Sequence, residues 1–151
     1  MRGSRRAGRR ERKAERMTSA GATVPLKVII ADDSQPVAEM LRELVSDPGR
    51  VEVIGVVDSE KSTVEAIRRL APDVVILDLQ LRTGSGTDVI RSVRGDPALA
   101  GTHLVVMSNH TSPQLRAGCI ALGADAFLDK VKELAQLASL LERFLREKRG
   151  A

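Results

Sequence analysis

The sequence predicts an α/β fold in which five parallel strands alternate with five helices. Three observations carry that expectation: short apolar runs recur from Leu26 onward, an amphipathic segment follows each run, and acidic residues close two of the runs. Runs of about five or six residues rich in Val, Ile and Leu suit strands buried on both faces of a parallel sheet. Such strands need right-handed crossovers, which place helices on both faces and give three layers.

The first strand is LKVIIA at 26 to 31. A helix follows over about 34 to 46, because Val37, Met40, Leu41, Leu44 and Val45 recur at helical spacing behind the capping residue Ser34. VEVIGVV at 51 to 57 is the second strand, and Ser59 caps a helix over 60 to 70. DVVILD at 73 to 78 is the third strand. Thr83, Gly84, Ser85 and Gly86 then read as a flexible loop leading to a helix over 86 to 96. THLVVMS at 102 to 108 is the fourth strand, and its helix over 112 to 122 has Ser112 as cap and Pro113 at the first helical position. DAFLDK at 125 to 130 is the fifth strand. The last helix, about 132 to 148, carries Leu134, Leu137, Ala138, Leu141 and Leu145 on one stripe, and Arg143, Arg146, Lys148 and Arg149 suit its negative end. The expected architecture is a flavodoxin-like (βα)5 three-layer sandwich with strand order 2-1-3-4-5.

The chain has 151 residues, enough for one domain with a sizeable core. That core must be aliphatic, since there are two Phe and no Trp or Tyr. The lone Cys119 excludes an internal disulfide and, beside Leu115, Ile120 and Leu122, reads as a packing residue. No apolar stretch approaches the roughly 18 residues of a membrane span, so membrane insertion is not expected and a cytoplasmic location is. The opening MRGSRRAGRRERK lacks the apolar segment of a secretory signal.

Charge divides the chain. Residues 1 to 24 hold eight Arg and Lys against two Glu, a balance of +6, whereas residues 25 to 151 hold sixteen against eighteen, a balance of −2, which together make the net +4. The first stretch therefore reads as a basic, disordered extension, and residues 25 to 148 as the folded domain. Clustered Arg could also neutralise phosphates without sequence specificity, and translation from Met17 would omit the whole cluster.

Asp32 and Asp33 follow the first strand and Asp78 ends the third. Parallel strands bring their carboxyl ends to one rim, and the 2-1-3-4-5 order puts its switch point between these two strands, so the three acids can share a pocket. Three carboxylates raise one another's pKa unless cations join them, and oxygen ligands suit Mg2+. Ser108 ends the fourth strand and Lys130 follows the fifth, adding a hydroxyl and an ammonium on the same rim. This set suits phosphoryl transfer to a carboxylate, with Asp78 as nucleophile and Asp32 and Asp33 holding the metal. His103 and His110 lack partners at transition-metal spacing, and no GxxxxGK loop supports nucleotide hydrolysis.

With those residues the chain resembles the receiver domain of two-component response regulators, over residues 26 to about 147. That family has an acidic pair after the first strand, an acceptor Asp after the third, Thr or Ser after the fourth and Lys after the fifth. Asp32 with Asp33, Asp78, Ser108 and Lys130 match, at intervals of 45, 30 and 22 residues. Gly86 matches the glycine after the acceptor loop and Phe127 the aromatic switch position three before the Lys. The resemblance implies Asp78 as phosphoacceptor, Ser108 as switch hydroxyl and Lys130 as the phosphate's cation. It also implies Mg2+ held by Asp32, Asp33, Asp78 and the Gln80 backbone carbonyl, with the Gln80 and His110 side chains tuning dephosphorylation. Two positions depart from common family usage: Val131 stands where many receivers have Pro after the Lys, and Arg82 where many have Pro four residues after the acceptor.

The implied partners are a sensor histidine kinase or histidine phosphotransfer protein and a downstream protein. The latter would meet the face made by the fourth helix, fifth strand and fifth helix, remodelled as Ser108 moves inward and Phe127 follows. Only 21 residues follow Lys130, so a stand-alone receiver without an output domain is expected, not an enzyme in its own right, and monomeric or weakly dimeric. Passing the phosphate along a relay is a further expected use. Two other classes stay open. A haloacid dehalogenase type phosphatase would need a second acid two residues after its nucleophile, where this chain has Gln35 and Gln80. A phosphate-independent interaction module would keep the pocket without using the switch.

Overall fold

A computed structural model describes residues 24–150. The expected basic extension lies outside the described residues except for Val24. Five parallel strands form one sheet in the order β2-β1-β3-β4-β5, as the alternation predicts. The strands are β1 Leu26–Ala31, β2 Val51–Val57, β3 Val74–Leu77, β4 His103–Ser108 and β5 Ala126–Asp129. The helices are α1 Gln35–Val45, α2 Glu60–Leu70, α3 Gly86–Arg94, α4 Pro113–Leu122 and α5 Leu134–Lys148.

The two-residue period of each strand divides its side chains between two aliphatic cores. Ile29 and Ala31 of β1, Val75 and Leu77 of β3, Leu104 and Val106 of β4 and Phe127 of β5 pack on one face with Ile67 of α2, Val89, Ile90 and Val93 of α3 and Cys119 of α4. Val28 and Ile30, Val74 and Ile76, Val105 and Met107, and Leu128 pack on the other with Leu41 of α1 and Leu137, Leu141 and Phe144 of α5. Each such large side chain contributes about 1.5–3 kcal/mol relative to exposure. The central strands β1, β3 and β4 are covered on both sides, so the backbone that carries the rim residues is anchored in both cores.

Capping sets where the helices begin. Ser34, Ser59 and Ser112 accept hydrogen bonds from the amides of Val37, Ser62 and Leu115, as the sequence predicts. Ser85 caps α3 in the same way through Asp88. The segment from Thr83 to Gly86 is thus tied down rather than loose: the Thr83 carbonyl accepts from the Glu60 amide, and the Ser85 amide donates to Glu60 Oε1. Helix α3 stops at Arg94 instead of continuing to 96, and a short 3-10 turn, Pro97–Leu99, capped by Asp96, leads towards β4. Pro97 has no amide to extend the α-helical ladder. Helix α5 starts at Leu134 rather than 132, because the amides of Val131 and Lys132 turn back onto the Asp129 carboxylate.

Candidate functional site

One device shapes four of the five strand ends. The first polar side chain at the end of β1, β3, β4 and β5 accepts the amide two residues ahead: Asp32 from Ser34 at 2.9 Å, Asp78 from Gln80 at 3.2 Å, Ser108 from His110 at 3.0 Å and Asp129 from Val131 at 2.8 Å. Short polar side chains turn the backbone out of the sheet this way without competing with the ladder. All four groups consequently stand along one rim.

Three carboxylates converge there. Ala31 pairs with Leu77 across the β1–β3 ladder, and the Asp78 amide donates to the Ala31 carbonyl at 2.9 Å, so Asp32 and Asp78 leave neighbouring strands at one level. Asp32, Asp33 and Asp78 each offer an oxygen within 4.8 Å of the others. Lys130, fixed by its amide to the Ser108 carbonyl at 3.0 Å, spans β4 and places Nζ 2.8 Å from Asp32 Oδ2 and 2.9 Å from Asp78 Oδ2. The Asp32, Lys130 and Asp78 side chains are 2%, 10% and 11% exposed, so this three-membered cluster is largely withdrawn from water. Asp33 is exposed and lines, with Asp32, Asp58 and Ser62, a cleft of about 250 Å3.

Electrostatics leave the cluster short of positive charge. Burial raises the Asp78 carboxyl above its ordinary range; Lys130 and the Gln80 amide oppose that rise, and Asp32 adds to it. Burial pulls Lys130 down, but the pairs with Asp32 and Asp78 outweigh it and the ammonium is held protonated above its usual range. One ammonium cannot balance the acids. Clustered carboxylate oxygens with a negative excess are the donor set of a hard divalent cation, so the residues present fit such an ion.

The loop after Asp78 is closed by Gly86, whose amide donates to the Leu79 carbonyl at 2.9 Å. A Cβ there would lie 2.4 Å from the Asp78 carbonyl oxygen and 2.8 Å from Leu79 Cα, both backbone atoms that cannot swing aside. Helix α3 therefore rests directly on the backbone of Asp78 and Leu79. Gly86→Ala is expected to cost about 2 kcal/mol through overpacking and to lower divalent-cation affinity at the acids. Denaturant unfolding beside a cation titration checks this; wild-type values in both would exclude the contact as a constraint.

The remaining candidates are placed less directly. Ser108 is buried, but its hydroxyl donates to the His110 carbonyl at 3.0 Å while accepting the His110 amide, so it is occupied by its own loop. Gln80 and His110 are exposed, on the loops that follow β3 and β4. Phe127 is 3% exposed, already packed in the core beneath Arg116, whose guanidinium lies 4.9 Å from the ring centre. Neither the Ser108 hydroxyl nor the Phe127 ring bonds to the acidic cluster in this conformation. Arg82 pairs with Asp58 at 3.0 Å at the surface, where such a pair is worth little.

Sequence inspection missed Asp129, Glu133 and Arg116. Glu133 Oε1 accepts from the Asp129 amide at 2.9 Å and from Arg116 at 3.0 Å, and the Asp129 carboxylate accepts from Val131 and Lys132, both at 2.8 Å. Both carboxyls are held below the usual carboxylate range, Asp129 by the Lys132 and Val131 amides and Glu133 by the Asp129 amide and Arg116. The signal was present as an acid at the strand end with a second acid four residues on.

Comparison with known proteins agrees with the fold. A Koribacter versatilis protein-glutamate methylesterase/protein-glutamine glutaminase is 31% identical over 119 residues, covering 76% of this chain and 31% of that protein. An uncharacterized response regulatory protein of Yersinia pestis is 30% identical over 122 residues, covering 81% of this chain and 49% of its own length. The chain thus spans about a third to a half of these relatives. Among solved structures, the signal receiver domain designated NarL from Mycobacterium tuberculosis superposes with a TM-score of 0.74 at 25% identity, covering 82% of this chain and 98% of that one. The response regulator domain of Thermotoga maritima CheB superposes at 0.68 and 20% identity, covering 84% and 98%, a likeness of fold. The sequence model of the response regulator receiver domain matches residues 28–142. With five parallel strands in the 2-1-3-4-5 order and acids at the ends of β1 and β3, this chain belongs to the response regulator receiver domain family.

Proposed function

We propose that this chain accepts a phosphoryl group on Asp78 from a phosphohistidine of a sensor kinase or phosphotransfer protein, and that it signals by protein binding or passes the group along a relay. The observation that carries the proposal is Lys130 bridging Asp32 and Asp78 in a pocket withdrawn from water. In the transfer, an Asp78 carboxylate oxygen attacks phosphorus, the phosphorus bond to the donor's imidazole nitrogen breaks, and the leaving imidazole keeps the electron pair. Asp78 must be ionised to attack, and Lys130 Nζ is positioned to pair with the arriving phosphoryl oxygens.

Asp32, Asp33, Asp78 and the Gln80 carbonyl would hold Mg2+, which when bound neutralises negative charge on the phosphoryl oxygens. Ser108 donates to a third oxygen once its hydroxyl leaves the His110 carbonyl. That release frees the β4–α4 loop, and the face of α4, β5 and α5 is the expected readout surface. Phe127 is already inside, so the change at this face starts from the loop rather than from the ring. No helix of the described residues is long and apolar enough to cross a membrane.

Incubation with Mg2+ and acetyl phosphate, followed by intact mass, tests the proposal. One phosphoryl adduct that requires Mg2+ supports it. No adduct, together with no beryllofluoride binding, would favour a phosphate-independent interaction module. The exposed amide of Gln80 and imidazole of His110, two residues beyond Asp78 and Ser108, would orient the attacking water, so substitution of either is expected to change adduct lifetime several-fold by time-resolved mass; unaltered decay in both variants would remove them from that role.

A further inference from the structure

Val131, which follows Lys130, is 79% exposed and has no ring to fix its φ. The segment is nevertheless closed amide by amide. Asp129 N donates to Glu133 Oε1 at 2.9 Å, Lys130 N to the Ser108 carbonyl at 3.0 Å, and Val131 N and Lys132 N to Asp129 Oδ1 at 2.8 Å each. Glu133 N completes the set on the Asp129 carbonyl at 3.0 Å. Five successive amides thus end on fixed acceptors, four of them within the segment itself. Two outer contacts anchor it: Arg116 of α4 grips Glu133 at 3.0 Å and also the Phe127 carbonyl, and Thr111 donates to Asp129 Oδ2 at 3.4 Å.

We propose that Asp129 and Glu133 are positioning residues for Lys130: their paired carboxylates, braced by Arg116, set the β5–α5 backbone so that the ammonium bridges Asp32 and Asp78. The role of Lys130 in phosphoryl uptake rests on the function proposed above, whereas its placement by these two acids does not. A long flexible side chain reaches two buried oxygens at 2.8 and 2.9 Å only if its Cα is held. Asp129 and Glu133 hydrogen-bond to none of the three acids of the pocket, so their influence there runs through Lys130. The carboxylates do here, by hydrogen bonding, what a ring constraint does by fixing φ.

The test uses the full chain and two readouts. First, acylation of lysines by a small amine reagent in metal-free buffer is followed by peptide mass, with exposed Lys132 as internal reference. Wild-type Lys130 is expected to react at least about tenfold more slowly than Lys132, because it is buried in ion pairs. In Asp129→Ala and Glu133→Ala, Lys130 should approach the Lys132 rate, while Asp129→Asn, which keeps an acceptor oxygen for both amides, restores protection. Lys130 protection unchanged in both alanine variants would overturn the proposal. Circular dichroism confirms that the variants fold, and if an alanine variant does not, Asp129→Asn against Asp129→Leu serves in its place.

Second, phosphoryl uptake from acetyl phosphate is measured in a double-mutant cycle. Asp129→Ala alone should slow uptake about tenfold through misplacement of the ammonium, and should have no further effect in Lys130→Ala. An equal loss in both backgrounds would contradict action through Lys130. If the wild type takes up no phosphoryl group, the function proposed above fails and the labelling experiment alone decides the positioning role.

Discussion

Asp78→Asn is expected to abolish phosphoryl uptake, with at least a roughly thousandfold loss in rate, since no other group in the pocket can replace a removed nucleophile. Asp32 is committed to Lys130 and to the Ser34 amide, and Asp33 is exposed beyond it. Intact mass with acetyl phosphate and Mg2+ reads the loss, and an adduct retained at wild-type rate would move the acceptor elsewhere. The same variant has a second, opposite effect on stability. In the metal-free protein, burial lifts the Asp78 carboxyl above the range at which it ionises in the unfolded chain. The folded state therefore holds its proton more tightly than the unfolded state. The associated stability is fully present below the ordinary carboxyl pKa and is lost as pH rises through the elevated one. Asparagine never ionises. Asp78→Asn should accordingly be more stable than the wild type at neutral pH without metal, and the difference should shrink on acidification; a variant less stable at neutral pH would contradict the burial effect.

Lys130→Met removes the opposite charge and has the opposite consequence for stability. It leaves Asp32 and Asp78 side by side and nearly buried without their shared ammonium. Breaking a buried pair in this way costs about 3 kcal/mol, limited by protonation of one acid. Mg2+ should restore much of that loss, because removing the competing ammonium increases the attraction of the acids for a divalent cation. Urea unfolding with and without Mg2+ checks both statements. Phosphoryl uptake should fall about a hundredfold even at saturating Mg2+, as for removal of an electrostatic donor from an acyl or phosphoryl site. A Lys130→Met protein more stable than wild type in metal-free buffer would mean that the ammonium is a net cost to the fold, and the cluster would then need another explanation.

The acids and the lysine were legible because each stands at the end of an apolar run, and a two-residue period within such runs is dictated by pleat geometry. KVIIADD, DVVILD and DAFLDK each show the strand and its terminal polar group in consecutive letters. Ser34, Ser59 and Ser112 were legible as caps for the same local reason, since a cap and the amide it satisfies lie three residues apart. Ser85 obeys the same rule but was hidden in a Gly-containing stretch that reads as loop. The position of Gly86 followed from resemblance, while its reason, contact with the Asp78 carbonyl, required the distance between two backbones.

What the sequence by itself determined was the set of strands, their polar ends and, through the alternation of strands with helices, the rim on which those ends meet. Only the tertiary structure decided how the side chains are engaged: that Lys130 joins Asp32 to Asp78 across β4, that the Ser108 hydroxyl is turned onto the His110 carbonyl, and that Phe127 is already inside beneath Arg116. Periodicity and capping act over three or four residues and are written in neighbouring letters. Arg116 to Glu133, at 17 residues apart, and Lys130 to Asp32, at 98, depend on rotamers and crossover paths that exist only once both cores have packed.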